Sequence, residues 1–127
     1  MNVTLLRAKL HQARVTGADL NYVGSITIHR TLMDEAGIFE WERVLVVDID
    51  NGARFETYVI PGEPGSGAMQ LKGAAARLVS VGDRLIVMAF SDVTAPPPAD
   101  WQPRVLVLDE HNAIAEIASE GNCPPGC

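Results

Sequence analysis

The chain has 127 residues, 47% of them hydrophobic and 20% charged, with a formal net charge of -6. That length and composition suit one domain with a real core and exclude wholesale disorder, while the acidic balance speaks against a nucleic-acid binder, whose phosphate contacts need a basic field. The longest apolar run, Leu85 to Phe90, is far too short to cross a bilayer, and "MNVTLLRAKLHQAR" lacks the apolar core and small-residue cleavage site of a signal peptide, so a cytoplasmic protein without membrane association is expected.

"VTLLRAKLHQARVT" reads as a long strand of mixed alternation, on which Lys9 and His11, two apart, share a face. "GADLNY" reads as a turn. "NYVGSITI", residues 21–28, reads as a strand interrupted by Gly24-Ser25, and a glycine weakens a strand interior. "TLMDEAG" is a short helix with Thr31 at its N-cap and Gly37 as its stop. "RVLVVDI" and "RFETYVI" flank Asp50-Asn51-Gly52, a strong hairpin signal. On the second arm Arg54, Glu56 and Tyr58 share one face and Thr57 takes the other. After "PGEPGSG" come "AMQL", "GAAARLVSVGD" and the strand "RLIVMAF". Three consecutive prolines make "TAPPPADWQP" a loop, and "RVLVLD" is the last strand expected. Residues 1–115 form a single domain, and 116–127 a disordered tail that holds both cysteines, Cys123 and Cys127. Short strands at close spacing indicate a closed β-barrel or a sandwich, and periodicity does not choose between them.

The chemistry-bearing residues are few. Two tail thiols make a poor zinc site, and His11, His29 and His111 show no metal spacing, so no metal is expected. "GEPGSG" lacks the ending of a phosphate loop. At Gly24-Ser25 the serine hydroxyl can attack the preceding carbonyl, which glycine leaves unshielded; the plain alternative is a β-bulge. Lys9, His11 and Arg54 are either a solvated strand face or an anion pocket in which Arg54 grips a carboxylate with its two-pronged guanidinium. Tyr58 is either a proton donor or a packed tyrosine. "KGAAAR" is a tight turn, a helix start, or a stretch whose backbone approaches a ligand.

Taken together, "KLHQARVTGADLNYVGSITI", "DNGARFETYVI", "GSG" and "GAAARLVSVGD" resemble, in order and spacing, the aspartate 1-decarboxylase family over roughly residues 1–110. The resemblance implies a mainly β single domain, a six-stranded double-psi β-barrel with short helices, assembled as a homotetramer with active sites between subunits. It implies pyruvoyl-dependent decarboxylation of L-aspartate to β-alanine and CO2 through a Schiff base, in pantothenate (coenzyme A) biosynthesis. The chain would cleave itself into 1–24 and 25–127, Ser25 becoming a covalently bound pyruvoyl group and Gly24 ending the small chain. Thr57 then matches the residue that orients the Gly24 carbonyl and later lies beside the substrate, and Tyr58 the proton donor. Arg54 and Lys9 match the carboxylate-binding cations, His11 a polar neighbour, and Gly73, Ala74 and Ala75 the backbone that lines the substrate pocket.

Three positions depart from the family pattern. Lys72 stands where asparagine is usual, Pro64 where arginine is, and His29 where an acidic residue is common. Some relatives use a maturation partner and most do without one. Two other readings stand beside this one: a pyruvoyl enzyme for another small amino acid, and an uncleaved, non-catalytic homologue that binds a small anion.

Overall fold

The computed structural model describes residues 1–118. Runs of β-branched and aliphatic residues form most of the strands: β1 (Asn2–Arg14), β2 (Gly17–Asp19), β3 (Ser25–His29), β4 (Arg43–Asp48), β5 (Arg54–Gly62), β6 (Met69–Lys72), β7 (Arg84–Thr94), β8 (Arg104–Leu108) and β9 (Ile114–Ala118). One helix, α1 (Arg30–Ala36), follows β3, and a 3-10 turn (Gly73–Leu78) follows β6. The strands make one sheet in the order β2-β6-β3-β5-β4-β7-β1-β8-β9. No helix among the described residues is long and apolar enough to cross a membrane.

The mainly β, single-domain expectation holds, but the described residues carry nine strands where six were expected. Two of the additional pairings lie at the ends of the sheet. β2 uses only Gly17, Ala18 and Asp19, inside the segment expected to be a turn, and pairs in parallel with β6. β9 lies beyond the last strand expected and pairs antiparallel with β8. Such short strands form because a neighbour offers an open edge, and their own residue pattern does not announce them. Glu116–Ala118, placed in the tail by sequence, belong to β9, and Ala118 is buried. The rest of the tail, with both cysteines, lies outside the described residues.

Only Val15 and Thr16 separate β1 from β2, yet β1 is third from one end of the sheet and β2 forms the other end. A single stretch of chain serves both regions only if the sheet curls round. The Val15 N–H bonds the Asp83 carbonyl at 2.9 Å and the Thr16 N–H bonds the Met69 carbonyl at 2.8 Å, which ties the crossing down. Leu10, Ile26, Ile28, Val46, Leu71, Leu85 and Leu106 fill the interior with no exposure, each contributing about 1.5–3 kcal/mol of burial.

Helix α1 starts one residue earlier than its expected cap. Its N-cap is His29, which makes no side-chain cap bond. Thr31 instead accepts a hydrogen bond from the Gly65 N–H at 2.9 Å. His29 still belongs to the β3–β5 ladder, paired with Gly62, so the helix must begin where the strand ends. Gly37 does stop it, with φ +72° and its N–H on the Met33 carbonyl.

The Asp50-Asn51-Gly52 hairpin is present, closed by the Asp48 N–H on the Ala53 carbonyl at 2.9 Å. Asp48 Oδ1 accepts the N–H groups of Asp50 and Asn51 at 2.8 and 3.2 Å. Its other oxygen is buried without a hydrogen-bond donor, in a cluster with Asp50 and Asp83 whose oxygens lie within 4.8 Å of one another. Arg84 takes both oxygens of Asp50, which leaves Asp48 facing Asp83. Burial, and next the Asp83 carboxyl, push Asp48 up to about 6. A raised carboxyl binds its proton more tightly folded than unfolded, so its contribution to stability is greatest below the unfolded value and is lost as pH rises through about 6. Asp48→Asn keeps an acceptor for the turn and supplies a permanent donor toward Asp83. The variant should therefore gain stability relative to the parent as pH rises from about 4 to about 6, with no further gain above about 7, measured as the difference in urea midpoints. An unchanged difference over that range overturns the assignment.

Candidate active site

Strand β3 runs between β6, antiparallel, and β5, parallel. Ser25 opens the strand and is 4% exposed; Gly24 lies in the bend just before it. The Gly-Ser pair therefore does not interrupt a strand, as expected from sequence, but marks where one begins. The register of β3 with both neighbours runs without a shift, which sets the bulge reading aside.

Gly73 explains the boundary. It has φ +72°, and a Cβ placed on it would lie 2.5 Å from Gly24 Cα, 2.6 Å from Gly24 N and 3.0 Å from the Tyr22 carbonyl oxygen. No real side chain fits at those distances. The backbone at Gly73 thus lies flat against the loop of residues 22–24 and holds it out of the sheet. Ala74, exposed, and Ala75, half-buried, follow in the 3-10 turn.

On the other side, Ile26 pairs with Val59. One step back along this parallel register, Ser25 lies level with Tyr58, and Gly24 lies just outside the ladder. Tyr58 is in turn paired with Arg43, and Ser25 with Lys72. Facing residues of a ladder share a side, so Lys72, Ser25, Tyr58 and Arg43 form one row across four strands. The half-buried Tyr58 ring stacks on Trp41, with centroids 5.7 Å apart and planes at 26°. Thr57 pairs with the buried Val44 and takes the opposite face from Tyr58, as the strand period requires.

The cations form a second set. Arg54 pairs with Val47, Val47 with Ile86, and Ile86 with His11, so Arg54 and His11 stand in one row, three strand steps or roughly 14 Å apart. Lys9 lies on the same face of β1, paired with Met88 and Val105. Arg54 is exposed and makes no ion pair among the described residues. Lys9 is 8% and His11 1% exposed, and neither ring nitrogen of His11 has a partner. Desolvation holds Lys9 below the usual ammonium range. Burial first, then the Lys9 charge, holds His11 below the usual imidazole range. The chain therefore gathers Gly24, Ser25, Tyr58 and Gly73 at one place, with Thr57 next to Tyr58 on the opposite face of β5, and sets Arg54, Lys9 and His11 apart in a second group.

Sequence reasoning missed two aromatic residues here. Trp41 supports Tyr58 from a positive φ of 72°, a conformation no pattern announces for a bulky residue. Tyr22 lies under Lys72, its ring centroid 5.0 Å from Nζ. Tyr22, Lys72, Asp19 and Gln70 help line a cleft of about 370 Å³. The other departures lie elsewhere: His29 Nε2 is 2.8 Å from the Asn112 carbonyl oxygen, and Pro64 sits in an exposed turn.

The family model for aspartate decarboxylase matches residues 1–115. Among similar proteins, the aspartate 1-decarboxylase of Clostridium botulinum (strain 657 / Type Ba4) is 52% identical over 119 residues, covering 94% of each chain. That of Clostridium beijerinckii is 51% identical, covering 94% of this chain and 96% of its own. That of Caldicellulosiruptor bescii is 52% identical over 120 residues, covering 94% of each.

Gly73→Ala tests the packing on Gly24 directly. It combines a strained φ with a backbone clash, and should lower unfolding stability by about 1–3 kcal/mol. Ala74→Gly, at an exposed position, should cost well under half of that. Equal losses in chemical denaturation would show that the Gly73–Gly24 contact is not what the site depends on.

Proposed function

The chain belongs to the aspartate decarboxylase family, and on that premise we propose that it cleaves its own Gly24–Ser25 bond and uses the resulting pyruvoyl group to convert L-aspartate to β-alanine and CO2, toward pantothenate. The observation that carries this reading is the position of the bond. It sits at the start of a doubly paired strand, pressed by the Gly73 backbone, with Ser25 one register step from the Ile26–Val59 pair and so level with Tyr58 on β5.

The cleavage is chemistry of the chain's own atoms. Ser25 Oγ attacks the Gly24 carbonyl carbon and the amide becomes an ester. Removal of the Ser25 α-proton expels the Gly24 carboxylate and leaves a carbon–carbon double bond at residue 25. Water then replaces nitrogen at that carbon, ammonia leaves, and a ketone remains. Thr57, next to Tyr58 on β5, orients the carbonyl for attack.

The residues present fit such a group. Ser25 is shielded from bulk water, and the absent Cβ at Gly73 leaves its neighbour only backbone to meet. Once formed, the ketone supplies a binding point for the substrate amine and a sink for the electron pair left by departing CO2. Arg54 holds the carboxylate that is retained, since a strong ion pair to the departing one would stabilise the ground state and oppose its loss. Tyr58, its ring held by Trp41, delivers the proton that replaces CO2. The backbone of Gly73, Ala74 and Ala75 lines the pocket.

Lys9 and His11 lie on β1, four strand steps along the sheet from β3, and Arg54 stands in the same row as His11. We read their separation from Ser25 as a sign that a second copy completes the site, in a homotetramer with active sites between subunits. The curled sheet is read as a double-psi β-barrel on the same grounds of family.

The denatured mass spectrum of the freshly purified chain tests the reading. Fragments 1–24 and 25–127 are expected, the larger lighter by one ammonia than a serine-headed chain. A single uncut chain after prolonged warming and incubation with cell extract overturns it. Tyr58→Phe should still cleave but lose about 10²–10⁴ in CO2 release from aspartate, whereas Ser25→Ala should stay whole. Cleaved Tyr58→Phe protein with undiminished CO2 release would remove Tyr58 from its role.

A further inference from the structure

Lys72 is one of two lysines in the chain and stands directly across from Ser25 in the β3–β6 ladder. Facing residues of an antiparallel pair hold their Cβ atoms about 4.5–5.5 Å apart on one side. A four-carbon stem ending in a primary amine therefore starts beside residue 25. The other lysine, Lys9, is four strand steps away along the sheet.

Nothing holds that amine firmly. Its ladder neighbour on the far side is Asp19, yet Lys72 makes no ion pair among the described residues. Its Nζ rests over the exposed ring of Tyr22, a contact worth about 0.5–1 kcal/mol at such a site. The stem helps line the cleft formed with Asp19, Tyr22 and Gln70, and a swing of the amine from the ring toward residue 25 would give up only the contact with Tyr22.

We propose that Lys72 Nζ forms an imine with the ketone derived from Ser25, so that the mature protein rests as an internal adduct which the substrate amine displaces. This rests on the reading of the Gly24–Ser25 bond given above. The step balances without oxidant or reductant. The Nζ lone pair adds to the ketone carbon, the oxygen leaves as water with the two amine hydrogens, and C=N replaces C=O. Exchange with the substrate amine at the same carbon returns Lys72 as a free amine. Reaction between residues on adjacent strands is effectively unimolecular, which favours the adduct over capture of stray amines from solution.

Sodium borohydride tests this on the full chain as purified, with the product read by denatured mass spectrometry and proteolytic digestion. The expected 25–127 fragment is lighter than the pyruvoyl-headed chain by one water and heavier by two hydrogens, and its digest contains a peptide joining residue 25 to Lys72. Saturating aspartate before reduction should abolish that bridge. In Lys72→Arg and Lys72→Asn the fragment should gain two hydrogens only. A wild-type fragment that is cleaved but gains only two hydrogens, or that bridges to Lys9, overturns the proposal and leaves the proposed function standing. A chain that stays whole at residues 24–25 overturns both.

Discussion

The five residues Ser25–His29 are all buried; residues 26–29 pair with β5 and residues 25–28 with β6, so the middle of the strand is held on both sides. A strand held this way cannot slip, because a shift of one residue would exchange its two faces. Ile26 and Ile28, with no exposure, would trade places with Ser25 and Thr27. The demand of two isoleucines for the core therefore places the serine, and with it the bond before the serine. Every other element of the candidate site is positioned relative to this strand.

The far end of the strand is anchored by a residue distant in sequence. Asn112 Nδ2 donates to the carbonyls of Arg14 and Gly67, both at 2.8 Å, and its Oδ1 accepts the Arg14 N–H at 2.7 Å. Its own carbonyl oxygen lies 2.8 Å from His29 Nε2. One fully buried amide thus ties the end of β1, the turn before β6 and the last residue of β3 together, with its polar atoms satisfied. At the near end, Gly73 does the corresponding work through van der Waals contact alone. The strand is clamped at both termini, and the Gly24–Ser25 bond lies just outside the clamp, where the chain turns.

Burial also shapes the electrostatics. The ammonium of Lys9 and the imidazole of His11 are buried on one face of β1, the imidazole with neither nitrogen hydrogen-bonded, and desolvation disfavours the charge of each. A carboxylate placed against them supplies the interaction that water no longer gives, which is the physical sense in which a buried, unpaired cation is ready for an anion. The acidic exterior does not oppose this, since exposed charges are screened over about 8 Å at physiological salt.

By itself the sequence determined what depends on near neighbours: the helix stop at Gly37, the hairpin around Asn51-Gly52, and the opposite faces of Thr57 and Tyr58. Local sterics and the two-residue period of a strand suffice for these, and the ordered motifs suffice for the family. Only the tertiary structure decided the rest. β2 and β9 formed because other strands left edges open, and Thr31 gave up its capping role because His29 was already committed to a ladder. Gly73 met Gly24, and Lys72 came to face Ser25, across nearly fifty residues of intervening chain. Contacts of that kind arise from how the sheet curls, and a curl is set by the packing of the whole core, which no short window of residues contains.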